Sequence, residues 1–344
     1  MADLARREAR RFLRELKLTS GEYYQYALAA RKKYVDLRLR QDSQIRAIYI
    51  RAADRVAKRI LNLSRTTGVN QMTLRYLAEL EESLREEGNR ISQTLMDYVT
   101  KYVTEAAKAG SSFSYQVTLS QLEGTRLAKE PIHRIFARAN TQAVEAIWAR
   151  THKGLTLSDR IWQKGRNANR VMVEIIQDAV AMGEDPVETA RKLQRYVRKG
   201  KGTLAQDYPE MMARMGSRIP NDLSYEALRL VRTETAAAYG EGTIAAARVS
   251  PSYTGMKWLL SNNSTPCDVC KSLAEKNVGL GQGVYPPGEE PPMPAHPNCM
   301  CALVPHYEDP ESFTKRLIEW VNNPSAHPDL EEWYQNVYRR GVVA

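Results

Sequence analysis

The chain has 344 residues, 43% of them hydrophobic, with 50 Lys+Arg against 40 Asp+Glu and a formal net charge of +10, an ordinary globular balance with room for two cores. No apolar run approaches the roughly eighteen residues that span a bilayer, and the N-terminus is charged rather than signal-like, so no membrane segment is expected and a reducing cytoplasm is. Residues 1–200 hold 37 Lys+Arg against 23 Asp+Glu and residues 201–344 hold 13 against 17, so the field that favours polyanions or an acidic partner belongs to the N-terminal part.

Ala2 to Lys17 is rich in Arg and Leu and predicts a short amphipathic helix. Thr19 and Glu22 have capping-box spacing and are expected to open a long helix. Within it Ile45, Tyr49, Ala52, Val56, Ile60 and Leu63 recur at steps of three and four as one buried stripe. The other face carries Arg31, Lys32, Lys33, Arg38, Arg40, Arg46, Arg51, Arg55, Lys58, Arg59 and Arg65 against Asp36, Asp42 and Asp54. Such a run is either a solvated face or a contact for DNA phosphates or an acidic protein.

After a Gly68-Val69-Asn70 turn, Leu77, Leu80, Leu84, Ile91, Leu95, Tyr98 and Tyr102 fall in near-heptad register. That spacing suits a core helix, an antiparallel hairpin or a coil between copies of this chain, which makes a homo-oligomer one expected partner. Gly88 is expected to mark a kink or a loop in this helix, Gly110-Ser-Ser-Phe-Ser114 to end it, and Tyr115 to Leu119 to form a stray strand.

Pro131 opens a further helix with Ile135, Phe136, Val144, Ile147 and Trp148 on its apolar face, and His133 and His152 nearby have no partners at ligand spacing. Leu155 to Met182 is helical in pattern, with Gly183 placed as its C-terminal cap. Asp185-Pro186-Val187-Glu188 supplies an N-cap, a first-turn proline and a capping glutamate for a helix to about Arg198. Thr203 to Asn221 reads as an irregular linker or partner-binding loop. Ser224 then caps a helix through about Ala247, containing Arg232-Thr233-Glu234.

All four cysteines follow within thirty-five residues, as Pro266-Cys267-Asp-Val-Cys270 and His296-Pro297-Asn298-Cys299-Met300-Cys301, each beside a short apolar run that suits a strand. A two-residue spacer lets one tight turn aim two side chains at one ion, and Zn²⁺ takes four soft or borderline ligands in a tetrahedron, so the pattern predicts a structural zinc site. Five donors compete for four positions. Cys267, Cys270, His296 and Cys299 give two knuckles of equal spacing, with Cys301 pointing into the sheet as a small apolar residue. The alternative is an all-cysteine set that uses Cys301 and frees His296.

Catalytic zinc chemistry is not expected. The Pro-Cys-x-x-Cys half of a deaminase signature lacks its His-x-Glu, because His133 and His152 are followed by Arg-Ile and Lys-Gly. A zinc-braced nuclease would want a further histidine base, and four protein ligands leave no open position for water. Glu289-Glu290, among prolines, is expected to be a solvent-exposed loop, so a transferase built on it with Arg232 and Glu234 is not favoured.

Beyond the cysteines, Asp309-Pro310 opens a helix bearing Phe313, Leu317 and Trp320, and after Pro324 to Pro328 a last helix carries Trp333, Tyr334 and Tyr338. His306 and His327 look incidental. The expected fold is α+β, mostly α: long N-terminal helices, then a compact C-terminal domain with a small antiparallel sheet and a zinc knuckle. The expected segments are a basic long-helix region at 1–154, a Cys/His domain at 155–308 and a helical tail at 309–344.

The order Arg232-Thr233-Glu234, Gly255-x-x-Trp258, Cys267-x-x-Cys270, a Pro-rich loop and His296-Pro297-x-Cys299-x-Cys301 resembles the head morphogenesis family of tailed bacteriophages, minor head proteins similar to protein F of phage Mu. The likeness runs from about Leu155 to Val304, with Met300 where that family usually has arginine. It implies a non-enzymatic virion component inside the capsid, made in the host cytoplasm and acting near the portal in head assembly and DNA packaging or delivery. Its implied partners are the portal protein, capsid or scaffold proteins and packaged double-stranded DNA. The alternative is a DNA-binding protein without sequence preference that uses the basic N-terminal helices.

Overall fold

The computed structural model of the chain describes residues 2–68, 70–261 and 267–343. Val69 of the expected turn and Pro266 at the head of the first knuckle lie outside the described residues. The elements in order are α1 (Ala2–Ser20), α2 (Tyr24–Thr67), α3 (Leu74–Gln121), α4 (Lys129–Ala149), α5 (Leu157–Ala181), α6 (Pro186–Lys199), α7 (Lys201–Asp207), α8 (Pro209–Met215) and α9 (Tyr225–Arg248). There follow β1 (Tyr253–Leu259), α10 (Asp268–Glu275), β2 (Val284–Tyr285), β3 (Ala302–Tyr307), α11 (Pro310–Asn322), α12 (Pro328–Trp333), a π-turn (Tyr334–Tyr338) and α13 (Arg339–Val343). The fold is therefore mostly helical, with long N-terminal helices and a small antiparallel sheet in the C-terminal region, as its periodicities predict.

Two compact units are each assembled from separated stretches: residues 1–38, 101–149 and 232–344 form the first, and residues 39–100 and 150–231 the second. The contiguous segments 1–154, 155–308 and 309–344 read from the sequence follow composition, whereas α2, α3 and α9 each contribute residues to both units.

In the first unit the strand order is β2-β1-β3, both pairs antiparallel, with Met256 facing Tyr285 on one side and Pro305 on the other. Trp258 and Met256 of β1 are fully buried, which is why this short sheet is an anchored element rather than an isolated hairpin. Phe12, Leu16, Tyr23, Ala27 and Ala30 pack with Phe113, Val117, Leu259, Ala302 and Val304 as one core cluster. A second cluster joins Ile132, Ile135 and Phe136 of α4 to Phe313, Leu317 and Trp320 of α11 and to Trp333 and Tyr338 of the tail. There Tyr338 Oη accepts from the Ala128 amide at 2.8 Å and Trp333 Nε1 donates to the Val249 carbonyl at 2.8 Å, so both polar tips are satisfied.

In the second unit Ile45, Tyr49, Ala52, Val56 and Ile60 are buried in one stripe, as their spacing predicts, while Leu63 is half-buried. Thr156 and Asp159 form a full capping box for α5. Asp185 accepts from the Val187 amide at 2.6 Å ahead of Pro186, and Gly183 holds φ +61 past the end of α5.

Several local expectations fail, each for a tertiary reason. Gly110-Ser-Ser-Phe-Ser114 does not end α3, and Tyr115 to Leu119 is helix rather than strand. A side chain at Gly110 would run into the Tyr239 carbonyl of α9, and one at Gly242 would meet the backbone of Ala107. These glycines mark a close helix crossing. Gly88 likewise does not break α3, because it faces Gly165 and Asn169 of α5. Thr19 does not cap α2: α1 runs through Ser20, a short 3-10 turn covers Gly21–Tyr23, and α2 starts at Tyr24. The segment 203–221 is irregular only after Met215, since α7 and α8 cover most of the part before it and bury Leu204, Met211 and Met215.

Candidate metal centre

The second knuckle is built by its own sequence. The Cys299 amide donates to the His296 carbonyl at 3.1 Å, with Pro297 and Asn298 between them and Asn298 at φ +62. A turn that wants a preset φ at its second position and tolerates positive φ at its third selects Pro and then Asn. The Asn298 amide donates to Thr233 Oγ1 at 3.3 Å, which ties the knuckle to α9. Cys301 directly precedes β3, whose Ala302 pairs with Leu259 of β1, and the Ser261 amide donates to the Cys301 thiol at 3.4 Å.

The first knuckle opens α10. Cys267 is its N-cap, with extended φ and ψ, and its sulfur accepts from the Cys270 amide at 3.4 Å. Cys267 is exposed, whereas Cys270, Cys299 and Cys301 are buried.

The two knuckles converge on Cys270. Its Sγ lies 3.7 Å from Cys299 Sγ and 3.2 Å from His296 Nε2. The donor atoms of Cys267, Cys270 and His296 lie within 4.8 Å of one another, as do those of Cys270, Cys299 and Cys301, so the cluster can hold a metal ion. Disulfide sulfurs stand about 2.05 Å apart. Two thiolates on one tetrahedral ion with bonds of about 2.3 Å stand about 3.8 Å apart, which the Cys270 to Cys299 separation matches. His296 Nδ1 lies 2.9 Å from the Pro297 carbonyl, so a proton on Nδ1 donates there and leaves the Nε2 lone pair aimed at the sulfurs.

The thiols divide a limited charge among themselves. A hydrogen bond from Cys301 holds the Cys299 thiol down to about 5 against its burial, with His296 and Cys270 adding to the effect. Burial, and then the charge on Cys299, push Cys270 up to about 12. The same bond to Cys299, followed by burial, raises Cys301. A cation bound among these sulfurs would favour their ionised forms.

All five sequence-predicted donors, Cys267, Cys270, His296, Cys299 and Cys301, are thus brought to one place. Cys301 is not simply an apolar filler of the sheet, because its sulfur joins the buried group. Sequence reasoning missed Arg31, which it counted in the basic face of α2. That residue is 7% exposed and donates through Nη2 to the Met300 carbonyl at 2.6 Å. It also missed Glu290: far from a solvent-exposed loop carboxylate, its side chain is fully buried, pairs with Arg248 at 2.5 Å and accepts from Tyr253 Oη at 2.9 Å. Partners 42 and 37 residues away leave no local signal.

Comparison of the chain with protein-family models, with curated proteins and with solved structures gives no match.

Proposed function

We propose that this chain is a non-enzymatic structural component of a tailed-bacteriophage head, a minor head protein of the capsid interior that acts in head assembly and in DNA packaging or delivery at the portal. One observation carries the reading. The residues on which the family resemblance rests are far apart in sequence yet meet in one unit, where Thr233 holds the His296-Pro297-Asn298-Cys299 knuckle and Trp258 pairs with Leu303 beside Cys301. A shared motif set that is also one physical assembly is better support than the same motifs scattered. The test is to purify particles and procapsids from a producing host and probe them for this chain. A few copies co-purifying with the portal are expected, and absence from both preparations contradicts the reading.

In this reading the metal is zinc and its role is structural. Thiolates and an imidazole are the soft and borderline donors that zinc takes, and hard cations prefer oxygen. Three of the four thiols are buried, and with four protein ligands the ion has no position for a reacting water. It would close the loop between β1 and β3 and nothing more.

A second reading, duplex DNA as a partner of the basic helices, is favoured by the exposed Arg51, Lys58, Arg59 and Arg65 of α2. It uses fewer cations than the sequence offers, because Arg46 pairs with Asp222 at 3.0 Å, Arg55 grips Glu87 at 2.7 Å, and Arg31 and Arg38 are buried.

A further inference from the structure

Arg31 is a guanidinium withdrawn from water, and among the described residues no carboxylate pairs with it. It lies over the rings of Phe12 and Tyr34, 5.0 and 5.2 Å from their centroids. Nη2 donates to the Met300 carbonyl at 2.6 Å, while Nη1 is buried without a hydrogen-bond partner, as is the neighbouring Tyr34 hydroxyl. Two aromatic faces, one carbonyl and the nearby Tyr239 hydroxyl are weak compensation for a buried full charge. Met300 supplies the missing context, since it stands between Cys299 and Cys301.

Three thiolates and a neutral imidazole around a divalent cation sum to a charge of about −1, and four thiolates to about −2. Such a centre, with three of its thiols buried, is favoured by a positive charge close by as much as Arg31 is by a negative one. We propose that Arg31 is a positioning residue of the metal centre, which neutralises the surplus negative charge of the thiolate-bound ion and holds the Cys299-Met300-Cys301 backbone through the Met300 carbonyl. The role rests on the metal reading above and assigns a task to a residue of α2 that lies 269 positions from its partner.

The test compares full-length wild type with Arg31→Lys, Arg31→Gln and Arg31→Met. Bound zinc is counted by elemental analysis, and its release to a chromophoric chelator is timed. Outer-shell changes of this kind weaken metal retention by about 10- to 100-fold, so Arg31→Met and Arg31→Gln should release zinc at least about tenfold faster. Arg31→Lys, which keeps the charge, should stay near wild type. Should Arg31→Met fail to fold, Arg31→Gln against Arg31→Lys still decides, because only charge separates their predicted rates. Melting of chelator-stripped proteins adds a second readout: the variants should converge once the ion is gone. Equal release from the lysine and glutamine variants, or a melting deficit undiminished in stripped protein, would reduce Arg31 to packing and overturn the proposal alone. A wild type without zinc would overturn the metal reading and this role together.

Discussion

Glu290 illustrates how a loop residue becomes a structural one. Its carboxylate reaches Arg248 of α9, the Tyr253 hydroxyl of β1 and, at 3.1 Å, the amide of Gly288, so one side chain fastens the proline-rich loop to a helix and a strand. Burial alone would raise its pKa, but these hydrogen bonds outweigh it and hold the carboxyl below its usual value. The sign follows from linkage: a carboxyl whose pKa is depressed on folding stabilises the fold above its unfolded pKa, and that contribution fades as pH falls through the folded one. Glu290→Gln is expected to lower stability by about 1 to 3 kcal/mol near neutral pH, since hydrogen bonds to a charged group are lost. Denaturant titrations at neutral and acid pH should show that deficit shrinking in acid. A deficit independent of pH would mean that the carboxylate charge contributes nothing.

At the scale of elements, the helix crossing of α3 and α9 makes an opposite-sign prediction for two helical glycines. A Cβ at Gly110 would collide with the Tyr239 carbonyl and approach Thr243 Oγ1 to 2.8 Å, whereas one at Gly202 in α7 meets nothing within 4 Å. Gly110→Ala should therefore destabilise by about 1 to 3 kcal/mol through overpacking. Gly202→Ala should stabilise by about 0.5 to 1 kcal/mol through helix propensity alone. Thermal melts of the two variants check this, and shifts of the same sign would contradict the crossing. The contrast also shows what could be read in advance. Asp185-Pro186 and Asp309-Pro310 were legible as helix starts because a cap and its amide lie within three residues. The cysteine knuckles were legible for the same reason. Gly88 and Gly110 resemble helix breakers until the facing helix is known, and Arg31 resembles a surface cation until Met300 is found against it.

For the whole molecule, the uneven charge noted in the sequence survives only in part as free surface. Arg46 and Arg55 of α2 are ion-paired, and Arg198 is held by Asp54 at 2.7 Å. Binding to duplex DNA, if it accompanies the proposed role beside packaged DNA, should be modest and steeply salt-dependent, with log affinity falling by about 0.9 per phosphate neutralised against log salt. Substituting Arg51, Lys58, Arg59 and Arg65 together by Ala should flatten that slope in a fluorescence titration of the full chain. An unchanged slope would place the contact elsewhere. The proposed metal centre sets a stricter demand. Cys270 is the donor common to both triads, so Cys270→Ser should lose the ion and with it the fixed arrangement of both knuckles, a loss on the scale of the about 10 to 16 kcal/mol that zinc contributes to small zinc domains. Limited proteolysis should then open the loop between β1 and β3 in this variant and not in wild type.

The most direct measurement is zinc-edge X-ray absorption on the purified chain. Four protein donors are expected, sulfurs at about 2.3 Å and one imidazole nitrogen at about 2.0 Å, with the first shell complete. A water oxygen completing a shell of fewer protein ligands would contradict a closed structural centre, and so would protein that carries no metal at all.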